Sequence, residues 1–238
     1  MRDEFNISRF FPVLILELEK KGLVTRTFRR LDPDRQTAIM EAIFAESGAK
    51  GPSELNIKKV AERAGISVGS LYQYFGNRDN LLVFARELAV YLTAMTFQAY
   101  APDLAALPLE QSIPAYLAGG IELGNTETGL MGFFAAAAYH GSPSDRESIV
   151  EPIAQSLLEV IKAMLKAAAD RGEIRTDLDL DLTARLVNTF LIAVGDASLL
   201  PNLNAYYQLY SPQNSSEKVL ETLVDLLFHG LSPRSNPS

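Results

Sequence analysis

The sequence predicts an all-α fold. Apolar residues recur at helical spacing along most of the 238 residues, and alternating β-branched runs are missing. Pro, Gly and Asn fall between these periodic stretches, where helices need caps and turns. The one alternating stretch, DLDLDL at 177–182, has no partner strand and reads as an extended lead-in to a helix. Asp177, Asp179 and Asp181 then suit the positive end of that helix better than a metal site.

Taken in order, the apolar segment FFPVLILEL places Pro12 at a first helical turn and Val13, Leu14, Leu16 and Leu18 behind it. A basic link, TRTFRR, follows with Arg26, Arg29 and Arg30. A helix is expected from Asp34 to about Ala49, carrying Ile39, Ala42, Ile43 and Phe44 on one side. Asn56 is a good N-cap for a helix over 57–64. Gly65 ends that helix, and Ser67 caps another over 68–75. Asn77 opens a long helix running from Arg78 towards Tyr100. Five more segments follow, over 109–123, 127–140, 144–171, 181–199 and 216–229. Between them stand Pro102 and Pro108, Gly124, Gly141-Ser142-Pro143, Gly172 and the stretch from Pro201 to Pro212. No internal repeat is present. A disordered tail is expected over 231–238.

Composition narrows the function. There is no Cys and there are two His, His140 and His229, which removes disulfides, thiolate chemistry and Cys- or His-rich metal sites. No nucleophile–base pair, phosphate loop or metal spacing supports an enzyme, and no metal or cofactor is expected. The apolar N-terminal run is too short to span a bilayer and lacks a cleavage signal, so the expected location is cytoplasmic, with no membrane partner. The net charge of −7 is uneven. Residues 1–80 hold 13 Lys+Arg against 11 Asp+Glu, so the acidic excess lies beyond them. A chain that meets a polyanion with its first third would be built this way.

The pattern from Ile57 to Gly76 fits a helix-turn-helix. Val60 and Ala64 share a packing face, Ala61 is small at the crossing, and Ile66, Leu71 and Phe75 return to the core. Ser67, Val68, Ser70, Gln73 and, in part, Tyr72 and Tyr74 are left facing outward. Hydroxyls suit phosphate oxygens, an amide suits adenine, and an isopropyl group suits a thymine methyl. A helical hairpin with a solvated face is the competing reading.

IMEAIFAESGAKG and NIKKVAERAGISVGSLYQYFGNRDNLL resemble the N-terminal domain of TetR-type transcriptional regulators over about 45 residues. RGEIRTDLDLDLTARLVNTFLIAVGDA is similar, more weakly, to the penultimate-helix region of the family. The resemblance implies a three-helix DNA-binding domain over 33–80 and a helical effector-binding and dimerisation domain over 81–230, with 1–32 as an extension. It implies double-stranded operator DNA, a small-molecule effector and homodimerisation as partners, with repression released by effector. Carried over by position, the DNA-binding residues are Asn56, Ser67, Val68, Gly69, Ser70, Tyr72, Gln73, Tyr74 and Arg78. Val68 stands where the family often has Lys. Glu46 and Ser47 stand where it has large apolar residues, so the extension is expected to complete that core or to pack on a partner subunit, and its arginines to lie beside DNA. The effector candidates are Tyr91, Phe97, Tyr116, Met131, Phe134, His140 and Phe190. Within GLMGFFAAAAYH the glycines and alanines are expected to leave room for a largely apolar ligand. The dimer seam is expected on the last two helices, through Leu186, Val187, Phe190, Leu191 and Val194 and through Leu220, Leu223, Val224 and Leu227. A helical ligand-binding protein without specific DNA binding is the alternative.

Overall fold

The computed structural model describes residues 11–231. The tail, apart from Leu231, and Phe10 lie outside the described residues. All regular elements among those described are helical, and the only β-type pairing is an isolated bridge between Ser211 and Asn214.

The extension forms α1 (Phe11–Lys20), with Pro12 in its first turn, and a four-residue α2 (Arg26–Arg29) inside the stretch expected to be a link. Then come α3 (Pro33–Lys50), α4 (Ile57–Arg63), α5 (Val68–Phe75) and α6 (Arg78–Ala106). The last continues past Pro102, a residue expected to break it. Pro102 frees one carbonyl a turn earlier, near Gln98, and Gln98 and Ala99 are exposed to water there. Next are α7 (Leu109–Thr126) and α8 (Thr128–His140). The helix expected from 144 begins as a single turn, α9 (Pro143–Asp145), passes through a π-helical turn over Arg146–Val150 and only then becomes α10 (Glu151–Asp170). Asp179 caps α11 (Leu180–Leu199) through its side chain, so the alternating stretch is a lead-in and not a strand. A short α12 (Pro201–Tyr207) was not expected; α13 (Ser216–Leu231) ends the described chain.

Packing divides the chain into two compact units, residues up to Thr96 with Glu127–Ala154, and Phe97–Thr126 with the residues from Gln155 onward. The division cuts across the expected boundary after residue 80 because α3 lies along α8. The approach is close. A Cβ at Gly48 would sit 3.0 Å from the Gly132 carbonyl carbon, and one at Gly129 would sit 3.2 Å from Phe44 Cβ. The glycines of α8 therefore admit α3; they are not spare room. Phe44 and Phe133 seal the contact edge to face, 5.5 Å apart.

The first unit also absorbs the extension. Leu14, Ile15, Leu18 and Phe28 are buried, and Phe28 meets Phe75 at 5.1 Å, Phe84 at 5.7 Å and Tyr74 at 5.9 Å between ring centroids. Glu46 and Ser47 are themselves buried. The Ser47 hydroxyl donates to the Ile43 carbonyl, and Glu46 has Arg63 at 3.6 Å while its Oε1 has no partner.

In the second unit, Leu109, Ile113, Leu117, Ile161, Leu165, Val187, Leu191, Leu223 and Leu227 form one core. The Arg171 guanidinium donates to the Ala105 carbonyl in the last turn of α6 and to the Leu107 carbonyl just past it, and Glu173 accepts from the Leu109 amide that starts α7. These bonds satisfy orphan groups at two helix ends and fix the corner between them.

Candidate nucleic-acid interface and ligand cavity

Local rules build the helix-turn-helix. Asn56 Oδ1 accepts from the Lys58 and Lys59 amides at 3.0 and 3.4 Å, which starts α4. Gly65 takes the turn at φ +65°, a conformation that costs a residue with a Cβ far more. Ser67 Oγ accepts from the Ser70 amide at 3.0 Å and shares a hydrogen bond with Ser70 Oγ at 2.9 Å, which starts α5.

The eight-residue α5 is two-faced. Leu71, Tyr74 and Phe75 are buried, whereas Ser67, Gly69, Tyr72 and Gln73 are exposed and Val68 and Ser70 half-buried. Gly69 leaves the backbone bare on the exposed side. Two of the residues expected to bind DNA also have structural contacts. Tyr74 is 8% exposed, its ring packed near Phe28, so only its hydroxyl can reach a phosphate. Arg78 donates through Nη2 to the Ser53 and Leu55 carbonyls at 2.9 and 3.4 Å, holding the turn before α4. Sequence reasoning also passed over Lys58 and Lys59, exposed in the first turn of α4 and without ion pairs among the described residues. Their place beside the Asn56 cap was the available signal.

That turn is latched a second way. Arg86 Nη2 donates to Asp145 Oδ1 at 3.0 Å and to Ser53 Oγ at 3.1 Å, and the Ser53 hydroxyl donates to Asp145 Oδ2 at 3.2 Å. Ser142 donates to the same carboxylate from its amide and its hydroxyl, at 3.0 and 2.8 Å. Burial works against the Asp145 carboxylate. The hydrogen bonds from Ser142 and Ser53 and the Arg86 charge outweigh it and hold the pKa below its ordinary value.

The effector candidates from sequence fall in both units. Phe97 and Tyr116 pack at 5.5 Å in the second unit, where burial pushes the Tyr116 hydroxyl pKa up. Phe190, in the same unit, is 48% exposed. Tyr91, Met131 and Phe134 are half-buried in the first unit, and His140 is exposed there. The second unit holds instead a partly open cavity of about 370 Å³, lined in part by Leu117, Ile121, Leu220, Glu122, Asn125 and Glu217. Ser198 and Tyr210 lie in the same wall, no Lys or Arg does, and none of the seven candidates lines it.

The expected seam also divides. Val187, Leu191, Val194, Leu223 and Leu227 are buried within the chain itself, which corrects their assignment to a partner contact. Of the expected seam Leu186 and Phe190 are left exposed, and Leu180, Leu182 and Ile192 on α11 and Leu226 on α13 are exposed besides. Helical spacing alone does not say which of two apolar stripes faces inward.

The helix-turn-helix of α4 and α5 is the part of the chain that known protein families match. Residues 39–83 match the family model described as bacterial regulatory proteins, tetR family. Over these residues the chain is similar to the DNA-binding domain of that family. A 77-residue stretch is 30% identical to the HTH-type transcriptional regulator BetI of Brucella suis, covering 30% of this chain and 39% of that protein. The chain thus matches about two fifths of that curated relative's length. Among solved structures, a TetR family transcriptional regulator from Chloroflexus aurantiacus superposes with a TM-score of 0.63 at 21% identity, covering 89% of this chain and 99% of the other. The fatty acid degradation regulator FadR from Bacillus halodurans gives 0.62 at 16% identity, covering 86% and 100%. FadR from Bacillus subtilis in complex with stearoyl-CoA gives 0.56 at 16% identity, covering 82% and 98%. At these identities the structural likeness establishes the fold.

Proposed function

We propose that the chain is a cytoplasmic, non-enzymatic repressor that binds operator DNA as a homodimer and is released by a small effector. The observation that carries this is the division of α5, where Leu71, Tyr74 and Phe75 anchor the helix while Ser67, Ser70, Tyr72 and Gln73 are left to meet a groove. Asn56, Lys58 and Lys59 supply phosphate contacts from the start of α4, and Ser67, Val68, Gly69 and Ser70 bring α5 against the backbone. Gln73 is the base reader, with Tyr72 beside it. Tyr74 contributes at most its hydroxyl, and Arg78 acts by holding the turn.

The exposed apolar residues of α11 and α13 form the seam with a second copy. Dimerisation sets two α5 helices about one turn of DNA apart, roughly 34–36 Å or a multiple of it. An effector that binds only the wrongly spaced state lowers operator affinity. The chemistry of the cavity supports an effector with an apolar body and a neutral or positively charged head. Glu122 and Glu217 line it without a basic residue, which disfavours an anion such as the stearoyl-CoA bound by one structural neighbour.

Selection of bound sequences from a random DNA pool tests the reading. It should enrich a palindrome, and the Gln73→Ala variant should change the preferred base at one position per half-site, at about 1–3 kcal/mol. A pool with no enriched sequence would leave the ligand-binding protein without specific DNA binding. An unchanged motif in the variant would remove Gln73 as a reader.

A further inference from the structure

The extension does more than cover the core of the first unit. The end of α5 leaves carbonyls without helical partners, and those of Gln73 and Tyr74 are both met by Thr25. The Thr25 hydroxyl donates to the Gln73 carbonyl at 3.0 Å, and the Thr25 amide donates to the Tyr74 carbonyl at 2.8 Å. Thr25 also caps α2, accepting at its hydroxyl from the Phe28 amide at 3.4 Å. One residue therefore ends the helix that faces DNA and begins the next basic turn.

Further bonds fix the same hinge. Asn80 Nδ2 donates to the Gly22 carbonyl at 3.3 Å, and Lys21 pairs with Glu87 at 2.8 Å. Beneath it, Phe28 is fully buried. The position of α2 relative to α5 is thus set by backbone hydrogen bonds and a buried ring, not by a flexible tether.

Charge on this piece is lopsided. From Phe11 to Arg30 there are five basic residues, Lys20, Lys21, Arg26, Arg29 and Arg30, against Glu17 and Glu19. Arg29 is committed to Glu19 and Lys21 to Glu87. Arg26 and Arg30 are exposed and have no ion pair among the described residues. Arg26 directly follows the residue bonded to the end of α5, in a chain whose net charge is −7.

We propose that α1 and α2 form a rigid arm that extends the DNA contact beyond the helix-turn-helix. Arg26 and Arg30 bind backbone phosphates flanking the base pairs that α5 reads. The proposal rests on the regulator reading above and adds a second contact to it. Phosphate contacts fix register and carry no sequence information of their own, so the arm lengthens the protected site without changing its motif.

The test is DNA affinity across salt concentrations, with hydroxyl-radical footprinting, for wild type, Arg26→Ala/Arg30→Ala and Arg26→Lys/Arg30→Lys. Each phosphate contact contributes about 0.9 to the slope of log K against log salt, so losing both lowers the slope by about two. The alanine pair should show that loss, a footprint shortened at its flanks, and the wild-type motif and melting temperature. The lysine pair should restore the slope, because a point charge suffices for a phosphate. Lys166→Ala/Arg185→Ala, in the second unit, controls for lost charge alone and should leave the slope unchanged. Wild-type protein without affinity for DNA would remove the regulator reading and the arm with it. Wild-type binding with an unaltered slope and footprint in the alanine pair would overturn the arm alone, as would an equal loss in the control.

Discussion

Phe28→Ala is the most direct probe of what holds α5 in place. Phe28 is fully buried, and its ring lies 5.1–5.9 Å from three other aromatic rings, two of them on α5. Removing a buried phenyl group costs about 3–5 kcal/mol, from lost transfer energy and from the cavity left behind. The upper half of that range applies here. Aromatic pairs contribute beyond their area, and rings held by helices on several sides collapse poorly into a void. The four-residue α2 has no stability of its own, so its detachment also frees the Thr25 bonds to α5. With two packing units, a single unfolding free energy is poorly defined, and site-resolved hydrogen exchange is the right assay. Amides in Val68–Phe75 should lose protection by about three to four orders of magnitude, while those of α13 keep theirs. Unchanged protection in α5 would show that the extension is not its support. Equal loss in α13 would show that the effect is not confined to the first unit.

Leu186→Lys with Leu226→Lys should give a folded monomer by light scattering, because these side chains are 54% and 61% exposed. Leu223→Lys, at 7% exposure, should instead lower the melting temperature through charge burial; a stable dimer from the first pair would refute the seam. Glu46→Met should stabilise the first unit by about 1–2 kcal/mol, since Glu46 keeps an unpartnered buried oxygen and its partner Arg63 stays half in water. A lower melting temperature would contradict that. The folded-state pKa of Asp145 lies below its unfolded value. Its contribution is therefore present above the unfolded pKa of about 3.9 and is lost as pH falls through the folded one. Urea titrations at stepped acidic pH should show that loss in wild type and not in Asp145→Asn; parallel curves would exclude it.

What the sequence made legible was local. Asn56, Ser67 and Gly65 act on backbone within three residues of themselves, so their residue types alone announce the turn. Ser67 and Gln73 were readable as outward because α5 has one apolar face. What stayed hidden depends on distant partners. TRTFRR has no periodicity, and α2 exists because Phe28 finds Phe75 and Phe84. Glu46 and Ser47 are polar where large apolar residues were expected, yet α3 buries them, with the Ile43 carbonyl and Arg63 as partners. Aromatic-rich α8 looked like the wall of a pocket, but its glycines are where α3 comes closest. The cavity of the second unit is walled partly by Glu122, Asn125 and Glu217, which look like ordinary exposed helix residues in sequence.

An eight-residue helix is too short to persist alone in water, so α5 borrows its shape from Leu71, Tyr74 and Phe75 and from caps at either end. The side chains of Tyr72 and Gln73 take no part in that arrangement, being exposed on the opposite side. On the proposed reading, substitutions at these two positions are close to neutral for folding while they alter which bases are preferred. A regulator that reads DNA as proposed above can therefore drift toward new operators one base pair at a time, with no compensating change in the interior.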